Sequence, residues 1–319
     1  MGKARQYQIL SPDWEKPDLK LMRAATLSVA DLNRSIDTYC EWLDYSLEEQ
    51  GELDEALATS WGAPNAAGCR YAVLRPASGR DIFVRFVENR IHPDFRALRT
   101  YGWSAIEICV TDVLAVNERI LASPFEIIGP PKELDGLPAI YPMQVKGPDQ
   151  EIVYLTQIRE DLPEFDLPRA EALIDRLFIL VMACSDMKAS LKWMVEHLDI
   201  AIGRDELIIV YTMLAKAFDL PQEDPHTIST MVHGKDVFLE LDQMPSQATP
   251  RPAYAGELPQ GVAIGTFWVP DFDEIDRRNK GLWISEPTIH DSVVYQGKRS
   301  GTLRALDGTL VEVVENNNE

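Results

Sequence analysis

The sequence predicts an α+β protein made by tandem duplication, with two domains that each contain two βαβββ modules, four modules in all. Residues 27–45 (LSVADLNRSIDTYCEWLDY) resemble 180–200 (LVMACSDMKASLKWMVEHLDI), and residues 102–120 resemble 261–279. The turn and strand GPDQEIVYLTQI (147–158) resemble ALDGTLVEVVEN (305–316). Asp186 follows Asp31 by 155 residues, and Asp307 follows its counterpart at position 149 by 158. An offset that is nearly constant over separated blocks indicates one duplication.

Each predicted module has a strand, a helix and two or three further strands. In the first domain, residues 21–158, a strand and helix at 22–44 precede alternating stretches at 70–74 and 81–88, and a second strand at 104–110 starts the next module. The second domain, residues 170–316, repeats this order. Residues 159–169 (REDLPEFDLPR) are acidic and contain two prolines, which is typical of a linker. Residues 1–20 form an N-terminal arm and 317–319 a tail.

Each helix is predicted to begin at an aspartate. Asp31 is followed by Ser35, and Asp186 by Ser190. An aspartate side chain can accept hydrogen bonds from the free N–H groups of the first turn, and its charge suits a helix N-terminus. Apolar residues at helical spacing would place one helix face on the sheet. The opposite sheet face then remains free, and two modules side by side could form a cup for a ligand.

Composition excludes several classes of partner. The chain has 319 residues and a formal net charge of −20, and it has no basic run. Nucleic acids and anionic membranes need clustered Lys and Arg, so neither is expected as a partner. No segment reaches the roughly 20 apolar residues of a membrane span, and the start lacks a signal-peptide pattern. We expect a cytoplasmic protein that is a monomer or a homodimer, with a hydrophobic small molecule as its partner.

The four cysteines do not form a predicted metal or redox motif. No C-x-x-C spacing occurs, so a zinc knuckle or a redox pair is not expected. Each cysteine fits better as a small buried hydrophobe, and Cys184 is the one that we consider as a nucleophile.

The repeated blocks resemble the vicinal oxygen chelate superfamily, which includes glyoxalase I, bleomycin-resistance proteins and extradiol dioxygenases. The resemblance covers residues 21–316. It implies cup-shaped sites that commonly hold a divalent metal at up to four inward positions. In this chain those positions are Ala24, Arg85, Ala105 and Tyr154 in an N-terminal cup, and Ile179, Glu240, Ile264 and Glu312 in a C-terminal cup. Only two are carboxylates and none is histidine, so we expect no metal and no cofactor.

Three residues of the predicted N-terminal cup could carry chemistry. Arg85 could anchor an anion or a carbonyl oxygen, because a guanidinium offers a fork of donors. Alternatively, Arg85 forms a structural ion pair with Glu107. Glu107 could be a base with a raised pKa, and Tyr154 could orient the substrate.

Further candidates would bind the ligand rather than transform it. Thr26 and Ser28 could donate from their hydroxyl groups, and Trp61 and Trp103 could close the mouth over an aromatic or alicyclic ligand. Each could equally be part of the wall.

The second predicted cup also has candidate acids. Glu240 and Glu312 would face each other and share a proton, unless that cup is degenerate and solvated. His233 and His290 are considered as proton shuttles or as ordinary surface or core residues.

These residues predict a metal-independent isomerase or lyase that acts on a small hydrophobic molecule bearing a carbonyl or carboxylate. We expect the site in the N-terminal cup, because the paired acids of the C-terminal cup, Glu240 and Glu312, would repel an anionic ligand. The alternative is a non-catalytic binding protein of the same fold. A third possibility is an extradiol-type dioxygenase with atypical ligands.

Overall fold

The computed structural model of the chain describes residues 20–134 and 136–316. The predicted tail, and all of the predicted N-terminal arm except Lys20, lie outside the described residues. Within these ranges, no helix has both the length and the apolar character that crossing a membrane requires. The predicted α+β fold of four modules is confirmed by two mixed sheets with helices packed against them.

The modules follow one another along the chain. Module 1 contains β1 (Met22–Val29), α1 (Leu32–Trp42), β2 (Ser46–Glu52), α2 (Glu55–Ser60), β3 (Arg70–Arg75) and β4 (Phe83–Glu88). Module 2 contains β5 (Gly102–Val110), α3 (Val113–Ile120), β6 (Glu126–Gly129), β7 (Ile140–Lys146) and β8 (Ile152–Ile158). Module 3 contains β9 (Ile174–Cys184), α4 (Met187–Leu198), β10 (Ala201–Ile202), β11 (Leu207–Val210), α5 (Thr212–Ala217), β12 (Pro225–His233) and β13 (Asp236–Gln243). Module 4 contains β14 (Gly261–Val269), α6 (Phe272–Arg278), β15 (Thr288–Ile289), β16 (Arg299–Arg304) and β17 (Leu310–Glu315).

An aspartate caps the first helix of every module, as the sequence predicts. The Asp31 side chain accepts a hydrogen bond from the backbone N–H of Arg34 at 3.1 Å, and Asp186 accepts one from Ala189 at 3.0 Å. Asp112 and Asp271 do the same at the starts of α3 and α6. These bonds satisfy N–H groups that have no partner inside the helix.

The sheets combine modules from different halves of the chain. One sheet has eight strands in the order β15-β16-β17-β14-β1-β4-β3-β2, so module 4 joins module 1. The other contains β10-β12-β13-β9-β5-β8-β7-β6, with β11 beside β12, so module 3 joins module 2. The antiparallel pairs β1–β14 and β5–β9 make these joins. The expectation that each half forms its own cup is therefore wrong, although 21–158 and 170–316 still describe the sequence repeat. The first strand of every module has the same free edge, so the repeat alone does not determine which edges pair.

Side-chain contacts, rather than strand pairs, connect the modules within each half. Asp149, in the turn before β8, accepts from the backbone N–H of Ala30 at 2.9 Å and from the hydroxyl of Ser35 at 3.0 Å. Its repeat counterpart Asp307 accepts from the backbone and hydroxyl of Ser185 at 2.9 and 2.7 Å. The duplicated turn thus holds the start of the first helix of its own half, across the two sheets.

The largest apolar core lies on the helix-facing sides of both sheets, which it joins into one body. The sheets approach closely at Gly265, where an added β-carbon would lie 2.7 Å from Leu180 Cδ1 and 2.8 Å from Trp103 Cζ2. Two smaller apolar clusters occupy the opposite faces, where each sheet curves into a cup. We call these the eight-stranded cup and the nine-stranded cup.

Each half contributes one module to each sheet, and the first strand of that module pairs with the first strand of a module from the other half. We therefore expect that neither half folds alone. We expect a fragment of residues 20–158 to aggregate or to associate with itself through the free edges of β1 and β5. Co-expression with residues 159–316 should give a 1:1 complex by size-exclusion chromatography with light scattering. A monomeric fragment with hydrogen-exchange protection in both β1 and β5 would contradict the pairing.

Candidate functional site

The sequence-predicted site residues are divided between the two cups. Arg85 and Thr26 lie in the eight-stranded cup, while Glu107 and Tyr154 lie in the nine-stranded cup. The predicted constellation of Arg85, Glu107 and Tyr154 is therefore wrong, and so is the alternative ion pair between Arg85 and Glu107. The predicted pairing of the other two acids, at positions 240 and 312, is wrong for the same reason: β13 and β17 belong to different sheets.

Arg85 is at the centre of a buried polar network in the eight-stranded cup. Its Nε donates to Thr26 Oγ1 at 2.8 Å, and Nη1 donates to the Tyr295 hydroxyl at 2.6 Å. Nη2 donates to Glu312 Oε2 at 3.0 Å, and the guanidinium lies 4.5 Å from the ring centroid of Trp61. Arg85 and Glu312 are each 1% exposed, so this ion pair is shielded from solvent.

Both carboxylate oxygens of Glu312 accept hydrogen bonds from buried side chains. Its Oε1 accepts from Trp61 Nε1 at 2.7 Å and from the Tyr295 hydroxyl at 2.8 Å, and its Oε2 also accepts from Thr266 Oγ1 at 2.7 Å. Glu312 therefore accepts four hydrogen bonds, and three of the five N–H groups of Arg85 have described acceptors, so the two charges are engaged with each other and with their neighbours. This network lies at the centre of the eight-stranded cup.

The remaining predicted ligand-binding residues also have internal partners. The Ser28 hydroxyl donates to the carbonyl of Pro259 at 2.7 Å. Trp103 Nε1 donates to the carbonyl of Leu310 at 2.7 Å, and the Trp103 ring is buried between the sheets. His290 is buried beside Tyr295, with ring centroids 5.2 Å apart, but its Nε2 has no hydrogen-bond partner among the described residues. His233 lies at the end of β12, away from the nine-stranded cup's acids.

The nine-stranded cup contains acids without such a cation. Glu107 on β5 is 7% exposed and accepts a hydrogen bond from Thr156 Oγ1 at 2.5 Å. Burial raises the pKa of Glu107 from 4.5 to about 7, although the bond from Thr156 acts in the opposite direction. At neutral pH this carboxyl is therefore populated in both protonation states, as a proton-transfer group needs.

Two further carboxyls lie on the same face of β13. Burial, followed by the charges of Asp242 and Glu107, raises the pKa of Glu240 well above its ordinary range. Burial also raises the pKa of Asp242 to about 7, and its Oδ1 has no hydrogen-bond partner among the described residues. Two such neighbours retain at least one proton at neutral pH, because both cannot ionise cheaply in a buried site.

A pair of tyrosine hydroxyl groups completes the polar part of this cup. Tyr154, beside Glu107 in the strand register, shares a short hydrogen bond with Tyr211 at the start of α5. Burial raises the pKa of both hydroxyls well above 10, so both remain donors at neutral pH. His226 lies edge-on to Tyr211 with ring centroids 6.3 Å apart, and burial lowers its pKa.

Two cavities open beside these acids. A cavity of about 90 Å³ is lined by Glu107 and by apolar side chains that include Phe165 and Phe178. A cavity of about 310 Å³ is lined by Tyr211, Lys132 and the strands around them. Both are lined by Glu240, Leu134, Leu207 and Ile228. The nine-stranded cup therefore has space for a ligand beside its acids, with mainly apolar walls in the smaller cavity and a few polar groups.

Comparison with solved structures identifies the architecture. Glyoxalase I from Zea mays superposes with a TM-score of 0.59 at 19% identity, over 95% of both chains. A point mutant of the same enzyme gives 0.61 at 18% identity, over 95% of this chain and 96% of the other. A Bacillus subtilis protein that is named as a proposed dioxygenase superposes with a TM-score of 0.57 at 10% identity, over 93% of this chain and 86% of the other. The chain has the vicinal oxygen chelate fold. No family model matches the sequence, and no match was found among the curated proteins.

The residues present do not fit the divalent metal that the vicinal oxygen chelate fold implies. Strand pairing regroups the inward positions, so that each cup has one carboxylate among four. The eight-stranded cup has Ala24, Arg85, Ile264 and Glu312, and the nine-stranded cup has Ala105, Tyr154, Ile179 and Glu240. No group of three His, Cys, Asp or Glu side chains within residues 20–134 and 136–316 has the arrangement to hold a metal ion. A buried guanidinium also occupies the centre of one cup.

Several residues of both cups were missed from the sequence. Asp242 could have been found, because it follows Glu240 by two residues and alternation places both on one face. Tyr211 and Tyr295 lie outside the long strands, where no periodicity signals an inward side chain. The predicted linker, 159–169, packs on the nine-stranded cup through Leu162, Phe165 and Leu167. Its acidic and proline-rich composition hid these three apolar contacts.

Replacing Arg85 by Met should destabilise the fold, since Glu312 would remain buried without its cation. We expect a loss of about 3–5 kcal/mol in the free energy of unfolding, measured by urea denaturation. The double variant Arg85→Met with Glu312→Gln should recover part of that loss. A single variant that loses less than about 1 kcal/mol would show that the pair is energetically unimportant.

The buried acids should make stability depend on pH. The unfolded chain releases the proton of Glu107 near pH 4.5, whereas the folded chain keeps it until about pH 7. The folded state binds more protons between these values, so the free energy of unfolding falls as pH rises, by about 1.4 kcal/mol per pH unit for each retained proton. Glu107→Gln should flatten this slope in urea unfolding between pH 5 and 7. Glu133→Gln, at an exposed ion pair with Arg159, should not change it. Equal slopes in the wild type and Glu107→Gln would contradict the raised pKa.

Proposed function

We propose that the chain is a metal-independent isomerase or lyase, acting on a small hydrophobic, carbonyl-bearing molecule in the nine-stranded cup. The observation that carries this proposal is Glu107, a buried carboxyl with a pKa of about 7 that lines an apolar cavity. A carboxyl whose pKa matches the working pH is an efficient general base and acid. The proposal replaces the N-terminal cup expected from the sequence, because Arg85 is occupied by Glu312.

The chemistry requires one proton transfer and one hydrogen-bond donor. The Glu107 carboxylate would take a proton from the carbon beside the substrate carbonyl, leaving an enolate. In the hydrogen-bonded pair of Tyr154 and Tyr211, one hydroxyl donates to the other, and the second hydroxyl would donate to the enolate oxygen, which carries more negative charge than the carbonyl did. In an isomerase, the substrate would carry a β,γ double bond, and Glu107 would return the proton to the γ-carbon as the double bond moves into conjugation with the carbonyl. In a lyase, the enolate would re-form the carbonyl and a double bond between the α- and β-carbons, while the bond from the β-carbon to the leaving group breaks and the leaving group takes the proton from Glu107.

The charge of the cup favours a neutral substrate over an anionic one. Glu107, Glu240 and Asp242 form one acidic group, and Arg204 in the smaller cavity is ion-paired with Glu164 at 3.0 Å. A carboxylate ligand would approach unfavourable charge there, whereas a ketone or aldehyde would meet protonated donors. The sequence allows a substrate with a carbonyl or with a carboxylate. For this cup we therefore prefer the carbonyl-bearing substrate.

Non-catalytic binding of the same molecule is the competing function. Thr156 holds Glu107 in place, and a satisfied, buried acid can serve simply as a wall residue that recognises a ligand. The two functions predict the same binding but different fates for the proton. The cytoplasm remains our proposed location, and a single chain would suffice, because it supplies every strand of both cups.

Proton abstraction can be measured without knowing the product. A thermal-shift panel of aromatic, terpenoid and steroid carbonyl compounds would first find a ligand, since binding to the folded form raises the melting temperature. The exchange of its α-hydrogens in D₂O would then be followed by NMR, with cyclopentanone, a small single-ring ketone, as a starting probe. Binding with catalysed exchange supports an enzyme, and binding without it supports the carrier.

Glu107→Gln should abolish most of the exchange while preserving the shape of the cavity. We expect a rate at least about a hundredfold lower, because general base catalysis is lost. The wild-type rate should rise with pH and level off above about pH 7, where Glu107 is ionised. Glu196→Gln, at an exposed ion pair with Lys192 on α4, serves as the matched surface control. Unchanged exchange in Glu107→Gln would assign the proton transfer to another group.

A further inference from the structure

A third cavity lies at the crossing between the two sheets, beside the eight-stranded cup. Its volume is about 160 Å³, and its lining includes Arg251, Thr309, Gly102, Trp61 and Trp103. We call it the Arg251 pocket. Arg251 belongs to the segment that connects β13 to β14, so the pocket forms where the chain passes from one sheet to the other.

Arg251 carries a positive charge without a carboxylate partner among the described residues. Its donors reach Thr100 Oγ1 at 3.2 Å and the carbonyls of Gln260, Val262 and Trp103 at 3.0, 2.8 and 2.6 Å. These four acceptors are neutral, and a guanidinium has five N–H donors, so one donor remains without a described acceptor. A shielded cation that has only neutral partners attracts an anion.

Thr309 supplies an independent sign that a ligand is missing. Its side chain is 4% exposed, and its hydroxyl has no hydrogen-bond partner among the described residues. A buried hydroxyl without a partner is costly, and such groups usually have one. Thr309 Oγ1 and Arg251 Cζ both lie 3.6 Å from the point where a β-carbon on Gly102 would stand. The guanidinium and the hydroxyl therefore face one small space, which the glycine leaves free.

No other charged side chain of the lining is ion-paired with Arg251. Glu257 is paired with Arg90 through Oε1, while its buried Oε2 has no hydrogen-bond partner among the described residues, and Asp307 accepts from Ser185. Arg304 adds a second, exposed guanidinium at the rim. Burial lowers the pKa of Arg251 to about 10, which still leaves it charged at neutral pH.

We propose that the Arg251 pocket binds a small carboxylate, held by the Arg251 guanidinium and the Thr309 hydroxyl. Trp61 and Trp103 contribute aromatic surface beside these polar groups. A cavity of about 150 Å³ can hold benzene, so the largest body that fits has about the size of one aromatic ring. Benzoate combines the charge and the size that this pocket accepts. This site is independent of the proposed reaction in the nine-stranded cup.

The sharpest variant is Thr309→Val, which keeps the shape and removes the hydroxyl. Arg251 itself is a poor target, because its loss would release four contacts and could prevent folding. Thr302→Val is the matched control, since Thr302 is also fully buried with an unpartnered hydroxyl but does not line the pocket. Both variants should fold as well as the full-length wild type, because neither removes a described hydrogen bond.

Binding of sodium benzoate to the full chain, measured by calorimetry and ligand-observed NMR, tests the proposal. We expect benzamide, the neutral analogue, to bind about tenfold more weakly, and Thr309→Val to weaken benzoate by about the same factor. Thr302→Val and Glu107→Gln should bind benzoate like the wild type, which separates this site from the proposed reaction. The proposal is overturned if benzoate does not bind, if benzamide binds equally well, or if Thr309→Val leaves the affinity unchanged. Binding of inorganic phosphate in preference to benzoate would overturn the assignment to a carboxylate.

Discussion

The antiparallel pairing of first strands, β1 with β14 and β5 with β9, is the constraint on which the rest of the structure depends. It decides which inward side chains meet, and so which chemistry each cup can contain. Within each half, the contacts of Asp149 and Asp307 join the modules instead. The duplicated turn therefore joins the two modules of one half through side-chain hydrogen bonds, whereas paired strands join one half to the other.

The two cups differ because the buried acid of one is ion-paired with a cation and the three buried acids of the other are not. In the eight-stranded cup, Glu312 has Arg85, two aromatic donors and a threonine as hydrogen-bond partners. In the nine-stranded cup, Glu107, Glu240 and Asp242 share a space without a bonded guanidinium, and cavities remain beside them. Desolvation without compensation raises the pKa of these acids toward neutrality. The same fold thus gives one stable structural core and one site suited to proton transfer.

The fold could be predicted from the sequence because its signals are local or repeated. Aspartates such as Asp31 mark the helix starts, and three matching blocks reveal the duplication. The choice of partners for β1 and β5 is not local, since every module offers an equivalent edge. Without that pairing, the sequence predicts Arg85 in one cup with Glu107, whereas in the structure Arg85 lies beside Glu312. Alternation correctly identified inward side chains, but the loop residue Tyr295 gave no signal in the sequence.

Buried polar side chains at the centre of a cup need hydrogen-bond partners or protons, and the two cups meet this need in different ways. In the eight-stranded cup, the guanidinium of Arg85 supplies the positive charge at the centre and bonds to side chains from modules 1 and 4. In the nine-stranded cup, protonation of the acids achieves neutrality instead, with Thr156 and the tyrosine pair as hydrogen-bond partners. A protonated acid can exchange its proton with a ligand, whereas an arginine cannot at physiological pH. This difference is the physical reason to assign chemistry to the second cup and stability to the first.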